Sequence, residues 1–187
     1  MTREEGLALL MRHTESDTLI RHALAVEGSM RGYAETLGED VERWGLCGLL
    51  HDIDFEACPD THPMTAAPIL EEAGFDADFI NAVLAHGDHT GVPRETPMAK
   101  ALYAVDELSS FVVAAVLVRP DRFQGLKFSS IRKKMKDKAF ARAVSREGIE
   151  EGAALMEAEL GVHVDRVISY LEAHEAWLKP TGASLIE

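Results

Sequence analysis

Little in this chain invites a membrane or a disulfide reading. No apolar run approaches the roughly 20 residues of a spanning helix, and the longest, Phe111 to Val118, reads as a buried helical segment. The opening Met1-Thr2-Arg3-Glu4-Glu5 is too acidic and too poor in apolar residues for a secretory leader, so the cytoplasm is the expected location. Cysteine is scarce: Cys47 and Cys58 are the only two in 187 residues, and they lack a Cys-x-x-Cys spacing, which excludes a disulfide framework and a zinc ribbon. Cys47 falls in an apolar helix as ordinary core, and Cys58 in a loop. There is no strand pattern, no internal repeat and no low-complexity tract, so neither a β architecture nor a solenoid is expected.

Positive charge is also short. The formal net charge is −13, which argues against general nucleic-acid binding, because phosphates would be repelled. The deficit is uneven. Residues 119–146 hold ten Lys and Arg against two Asp, a local +8, whereas the rest of the chain holds nine against thirty, −21. Such a basic lobe suits a small phosphorylated anion, and its plainer reading is a solvated helix face.

What is present is helix after helix. Ser16 is a natural N-cap, and Leu19, Ala23, Val26, Met30, Tyr33 and Leu37 follow at helical spacing until Gly38 stops the run. His22 borders that stripe. A second helix runs from about Glu39 to the pair His51-Asp52, with Pro59 closing the loop that follows. His62-Pro63 is expected to open a third helix ending at Gly74, Asp76 to cap a fourth carrying Phe79, Val83 and His86, and Thr96-Pro97 to start a long fifth that presents Leu102, Asp106, Ser109 and Val113 on one side. Ser129 and Ser145 are expected to cap two more, the first of them basic, and a last helix spans about His163 to Lys179. Residues 180–187 read as a loose tail. With 47% hydrophobic residues the chain can bury one good core, so the expectation is a single all-α domain over 1–187.

Four residues stand out in this frame: His22, His51, Asp52 and Asp106, each within or at the end of a helical segment. Two imidazoles and two carboxylates are costly to bury together unless something pairs with them, and a divalent cation is the simplest partner. On these residues, with Gly48-Leu49-Leu50-His51-Asp52-Ile53-Asp54, Ala101-Leu102-Tyr103-Ala104-Val105-Asp106-Glu107-Leu108 and Val118-Arg119-Pro120, the chain resembles the HD-domain superfamily of helical metal-dependent phosphohydrolases, and more narrowly a group of small bacterial HD hydrolases. The resemblance implies an all-α HD helical bundle over about 16–118, with a C-terminal helical extension over about 119–179. It also implies that the four side chains bind one divalent ion, with Mn, Fe, Co, Ni, Zn or Mg as the candidates.

His62 and His86 lie between the HD pair and Asp106, in the order that binuclear relatives use for a second metal, with Asp52 as the bridge. If His62 sits at a helix start, the macrodipole keeps its ring neutral and available. His89 is a weaker candidate, and His13, His163 and His174 read as ordinary surface or core residues. The chain departs from the superfamily in one respect: Asp54 and Phe55 stand where many members have Gly and Lys, so a phosphate-binding cation must come from elsewhere. Arg119, Lys127, Arg132 and Lys133 are the candidates. Asp52, Asp54 and Glu56 are the candidate catalytic carboxylates, the last two as general bases if they reach the open face of the metal. No GYP signature is present, which disfavours cyclic dinucleotide hydrolysis. The expected activity is hydrolysis of a small phosphorylated compound, a nucleotide being one class. The rivals are a two-iron oxygenase on the same ligands and a non-catalytic helical binding module with a structural metal.

Overall fold

The computed structural model describes residues 1–187, and all its regular elements are helical. The α-helices are α1 Arg3–His13, α2 Asp17–Leu37, α3 Val41–Leu50, α4 Ala66–Glu72, α5 Ala77–Ala85, α6 Pro97–Leu117, α7 Phe128–Met135, α8 Arg146–Leu155 and α9 Leu160–Leu178. Six begin where a short side chain accepts a first-turn N–H: Thr2, Ser16, Asp40, Asp76, Thr96 and Ser145. Pro97 follows Thr96 at a position where its missing N–H costs nothing. Gly38 ends α2 in the left-handed conformation, φ 75°.

α2 is the organising helix, packed on α3, α6 and α9, while α5 and α8 flank α6. One apolar core runs continuously from Leu9 to Leu185. The α2–α3 contact is close enough to demand glycine: a Cβ on Gly48 would lie 2.7 Å from the Val26 carbonyl oxygen. That approach matters for the site, because His51 lies about one turn beyond Gly48 and His22 one turn before Val26. α2 is tied to α6 by the buried Ser29–Ser109 hydroxyl pair at 2.7 Å, a polar contact inside apolar packing that fixes the two helices' relative register.

Cys47 is fully buried, and burial pushes its thiol up to about 12, so it is core and not a nucleophile. His163 is a core brace: Tyr33 Oη donates to its Nδ1 at 2.5 Å, and its Nε2–H donates to the Ala104 carbonyl at 3.0 Å. It joins α9 to α2 and α6.

Several expected boundaries move. α1 has no counterpart in the sequence reading, although Thr2 and Glu5 form a reciprocal capping box that is visible as Thr-x-x-Glu. The third expected helix, α4, begins at Ala66 and not at Pro63; residues 51–65 form turns, so His62 lies in an irregular segment with no helix dipole on it. α7 starts at Phe128 with Lys127 preceding it, and Ser129 lies inside its first turn instead of capping it. α9 starts at Leu160, before His163. The last residues are not loose: Leu185 is fully buried, its N–H and the Ser184 hydroxyl donate to the Glu175 carboxylate at 2.7 and 2.9 Å, and Arg21 donates to the Glu187 carbonyl at 2.8 Å. A buried carboxylate that needs donors recruits the chain end.

Candidate metal centre

Five short stretches deliver six side chains to one place. His22 comes from the second turn of α2, His51 and Asp52 directly follow α3, His62 lies in the turns beyond, His86 directly follows α5, and Asp106 sits mid-way along α6. The HD pair falls at a helix end because the chain must leave α3 there, which turns adjacent residues toward the same cavity.

Asp52 is the hub. Its Oδ2 lies 3.4 Å from His22 Nε2, while its Oδ1 lies 3.3, 3.2 and 3.5 Å from the Nε2 atoms of His51, His62 and His86. Asp106 Oδ1 lies 3.1 Å from His22 Nε2 and 3.5 Å from His51 Nε2. Two overlapping sets of donor atoms thus share a centre: His22, His51 and Asp106 on one side, and His51, Asp52 and His86 on the other, with His62 completing the second.

The orientation of the rings decides what the centre wants. His51 Nδ1 donates to the Gly48 carbonyl at 2.8 Å, His86 Nδ1 to the Val83 carbonyl at 2.5 Å, and His62 Nδ1 to Asp54 Oδ1 at 2.7 Å. These partners can only accept, so each Nδ1 carries the hydrogen and each neutral ring turns a bare Nε2 inward. His22 has Ser110 Oγ 2.9 Å from its Nδ1, leaving its Nε2 inward as well. The inward atoms pair at 3.1 Å, His22 with His51 and His62 with His86. Two bare nitrogens at that separation repel, and two carboxylates face them. A positive charge has to sit among them, and N/O donors of this kind fit a divalent transition metal.

The titration behaviour agrees. Burial opposes charge on His22, but the hydrogen bonds and charges of Asp106 and Asp52 outweigh it and push its pKa up to about 10. His86 is raised by the same balance, burial being outweighed by Asp52. Asp52 and Asp106 are held far below the ordinary carboxylate range: burial opposes this, and the surrounding histidines prevail. A metal ion and a proton therefore compete for His22. Because its pKa is raised, the proton is bound across the neutral range, so metal affinity is expected to rise with pH by up to about tenfold per unit for each proton displaced. Chelator-competition titrations from about pH 6 to about pH 8 check this, and a flat profile contradicts it. The metal-free fold has the opposite dependence: the stability from protonated His22 is complete below its ordinary value of 6.5 and is lost as pH rises toward about 10.

Asp54 does not face the open side of the cluster. Asp54 is 2% exposed and its carboxylate lies behind His62, bonded to the nitrogen that points away from the rest of the cluster. Burial opposes its ionisation, but His62 outweighs burial and keeps its pKa below the ordinary value. It is placed to orient His62, as carboxylates behind metal-bound histidines do. Asp54→Asn is expected to weaken metal binding about 10- to 100-fold with the fold intact, measured by chelator competition and thermal melting. Glu56 is exposed and accepts the backbone N–H groups of Glu15 and Ser16 at 2.8 and 3.2 Å, capping the entry to α2 and making no contact with the cluster. His89 Nε2 donates to the His62 carbonyl at 2.8 Å, so it braces the loop that carries a ligand.

The basic candidates stay apart. The Arg119 guanidinium donates to the carbonyls of Arg122 and Gln124 at 2.9 and 2.8 Å, folding onto its own turn. Lys127, Arg132 and Lys133 are exposed, and none of the four makes a hydrogen bond or ion pair with the cluster. Two arginines that the sequence did not single out adjoin histidines of the cluster. Arg21 precedes His22 and lines the same pocket, and Arg94 donates to the Ala85 carbonyl at 2.8 Å, next to His86. Adjacency to His22 was the available signal for Arg21; nothing in the sequence marks Arg94.

The HD domain family model matches residues 19–110, the span that contains His22, His51, Asp52, His62, His86 and Asp106. Residues 19–110 of this chain are an HD domain. It is similar to Ribonuclease Y of Nitratidesulfovibrio vulgaris strain DP4, at 32% identity over 105 residues, and to Ribonuclease Y of Oleidesulfovibrio alaskensis, at 32% over 104. Each alignment covers 54% of this chain and 20% of the relative, so the chain spans about a fifth of the length of the curated relatives it matches. No solved structure matches it. HD-superfamily proteins are typically metal-dependent hydrolases, and no helix here is long and apolar enough to cross a membrane.

Proposed function

We propose that the protein is a metal-dependent phosphohydrolase acting on a small phosphorylated compound, with nucleotides among the candidates. The observation that carries the reading is the inward convergence of four Nε2 atoms on the carboxylates of Asp52 and Asp106. A bound divalent ion supplies a water acidic enough to attack phosphorus near neutral pH and a charge that offsets the phosphoryl oxygens. His22, His51, Asp52 and Asp106 would hold one such ion, and His62 and His86 with Asp52 would hold a second. Carbonyls of Gly48 and Val83 and the Asp54 carboxylate fix the ring orientations beforehand, so no reorganisation is needed when charge develops. Asp52, partly open to solvent and touching both ligand sets, is the carboxylate best placed to orient the attacking water. Arg119, Lys127, Arg132 and Lys133 contribute long-range attraction for anions, an effect that salt screens.

The similarity to Ribonuclease Y favours one other reading, cleavage of an RNA phosphodiester on the same ligands. The net charge of −13 disfavours a long polyanion. Metal analysis of protein purified without chelator, followed by a release screen across phosphorylated metabolites and short RNA with Mn, Co, Ni, Fe and Mg, separates the two. Phosphate release from small esters supports the proposal. Cleavage of RNA alone favours the other reading, and iron with oxygen-dependent absorbance changes and no hydrolysis would point to an oxygenase.

A further inference from the structure

His86 stands at the end of α5, where the last carbonyls of a helix have no partner further along it. Side chains take up three of them: the His86 ring bonds the Val83 carbonyl, the Thr90 hydroxyl donates to the Leu84 carbonyl at 3.0 Å, and Arg94 Nε donates to the Ala85 carbonyl at 2.8 Å. The last contact bears most directly on the metal centre. The Ala85 oxygen and the His86 nitrogen belong to one planar peptide, so holding the oxygen fixes the plane from which the His86 side chain departs. The Arg94 guanidinium is itself held from two other sides. Its Nη2 pairs with Asp88, and its Cζ lies 3.6 Å from the centre of the Tyr103 ring. Tyr103 is buried, its hydroxyl donates to Glu151 of α8 at 2.8 Å, and it lies one turn before Asp106 on α6. One guanidinium outside the cluster thus spans from the peptide before His86 to the turn before Asp106.

We propose that Arg94, stacked on Tyr103, is a positioning residue that sets the place and angle of His86 against Asp52 and Asp106. Its bonds and its stack go to Ala85, Asp88 and Tyr103, so it acts through His86 and not on a bound molecule. Arginine suits the task, because its flat fork donates along the edge while its face packs on an aromatic ring; lysine offers no such planar face. The His62–His86 side of the centre depends on this strut. The His22 side does not, since α2 is joined to α6 there by the Ser29–Ser109 pair. The proposal rests on the phosphohydrolase reading only for the task that an ion on the His86 side then performs.

The test compares the full-length unmodified protein with Arg94→Gln, Arg94→Lys, Tyr103→Leu and Tyr103→Phe. In metal-free protein carrying isotope-labelled histidine, Arg94→Gln is expected to shift or broaden the His86 ring-nitrogen signals in NMR spectra and to leave those of His22 in place. In chelator competition with a divalent transition metal, the ion held by His62 and His86 is expected to bind about tenfold more weakly, the low end for removing a group that orients a ligand, with the ion held by His22, His51 and Asp106 changed by less than about twofold. Tyr103→Leu should reproduce both effects, Tyr103→Phe, which keeps the ring, neither, and Arg94→Lys should recover part of the loss. Unmoved His86 signals in Arg94→Gln overturn the proposal, as do two affinities that fall together or not at all. Binding of a single ion by the unmodified protein would overturn the two-ion reading, and the His86 signals of the metal-free protein then decide the role of Arg94 by themselves. Two ions with no hydrolysis of any phosphate ester would overturn the phosphohydrolase reading and leave the strut standing.

Discussion

Asp52→Ala is expected to abolish metal-dependent hydrolysis and release most of the bound metal. Asp52 is the one side chain that touches His22, His51, His62 and His86, and both of its oxygens are committed. Its removal strips the shared ligand from both donor sets and leaves four inward nitrogens with Asp106 as their only carboxylate. The loss should be on the order of 100-fold or more in kcat, because positioning and charge stabilisation vanish together. His51→Ala should behave alike, since its buried ring joins both sets. A matched control is His174→Ala, whose ring packs on Trp177 away from the centre and should leave metal content unchanged. Activity of Asp52→Ala within a few-fold of the parent protein would remove the centre from the mechanism.

The second large effect concerns stoichiometry. With His62 and His86 facing each other at 3.1 Å and both within reach of Asp52 Oδ1, the protein is expected to bind two ions per chain. His62→Ala and His86→Ala should each bring occupancy toward one while keeping the ion held by His22, His51, Asp52 and Asp106. Metal analysis after gel filtration reads this directly. Two ions should share Asp52 at roughly 3.5 to 4 Å, the spacing of two-metal hydrolases, at which both the attacking and the leaving oxygen can be stabilised. Unchanged occupancy in both variants would reduce the pair to a hydrogen-bonded wall.

The members of the cluster were legible in the sequence and their supports were not. His22, His51, Asp52 and Asp106 each fell on a helix or at its end, and helical spacing shows which residues border a buried stripe. His62 and His86 followed from their order along the chain, although the helix-start argument for His62 fails because α4 begins at Ala66. The division of labour among carboxylates is different in kind. Asp54 and Glu56 are two residues apart and chemically alike, yet one is buried behind His62 and the other caps α2 from the surface. Only the path of the turns over 51–65 separates them, and turns carry weak sequence signals. The chain end misled for a related reason: its terminal position suggested a loose tail, whereas the donors required by buried Glu175 hold it in place. Arg119 reads as a free cation until its carbonyl partners three and five residues on, Arg122 and Gln124, are seen.

The central claim is that the bare nitrogens exist to hold metal, and anomalous diffraction from crystals grown with a divalent transition metal tests it most directly. The account predicts two peaks, one about 2.0 to 2.2 Å from His22 Nε2, His51 Nε2 and Asp106, the other at that distance from His62 Nε2 and His86 Nε2, both bonded to Asp52. Crystals saturated with metal that show no peak among these six residues, the rings instead sharing protons, would contradict it.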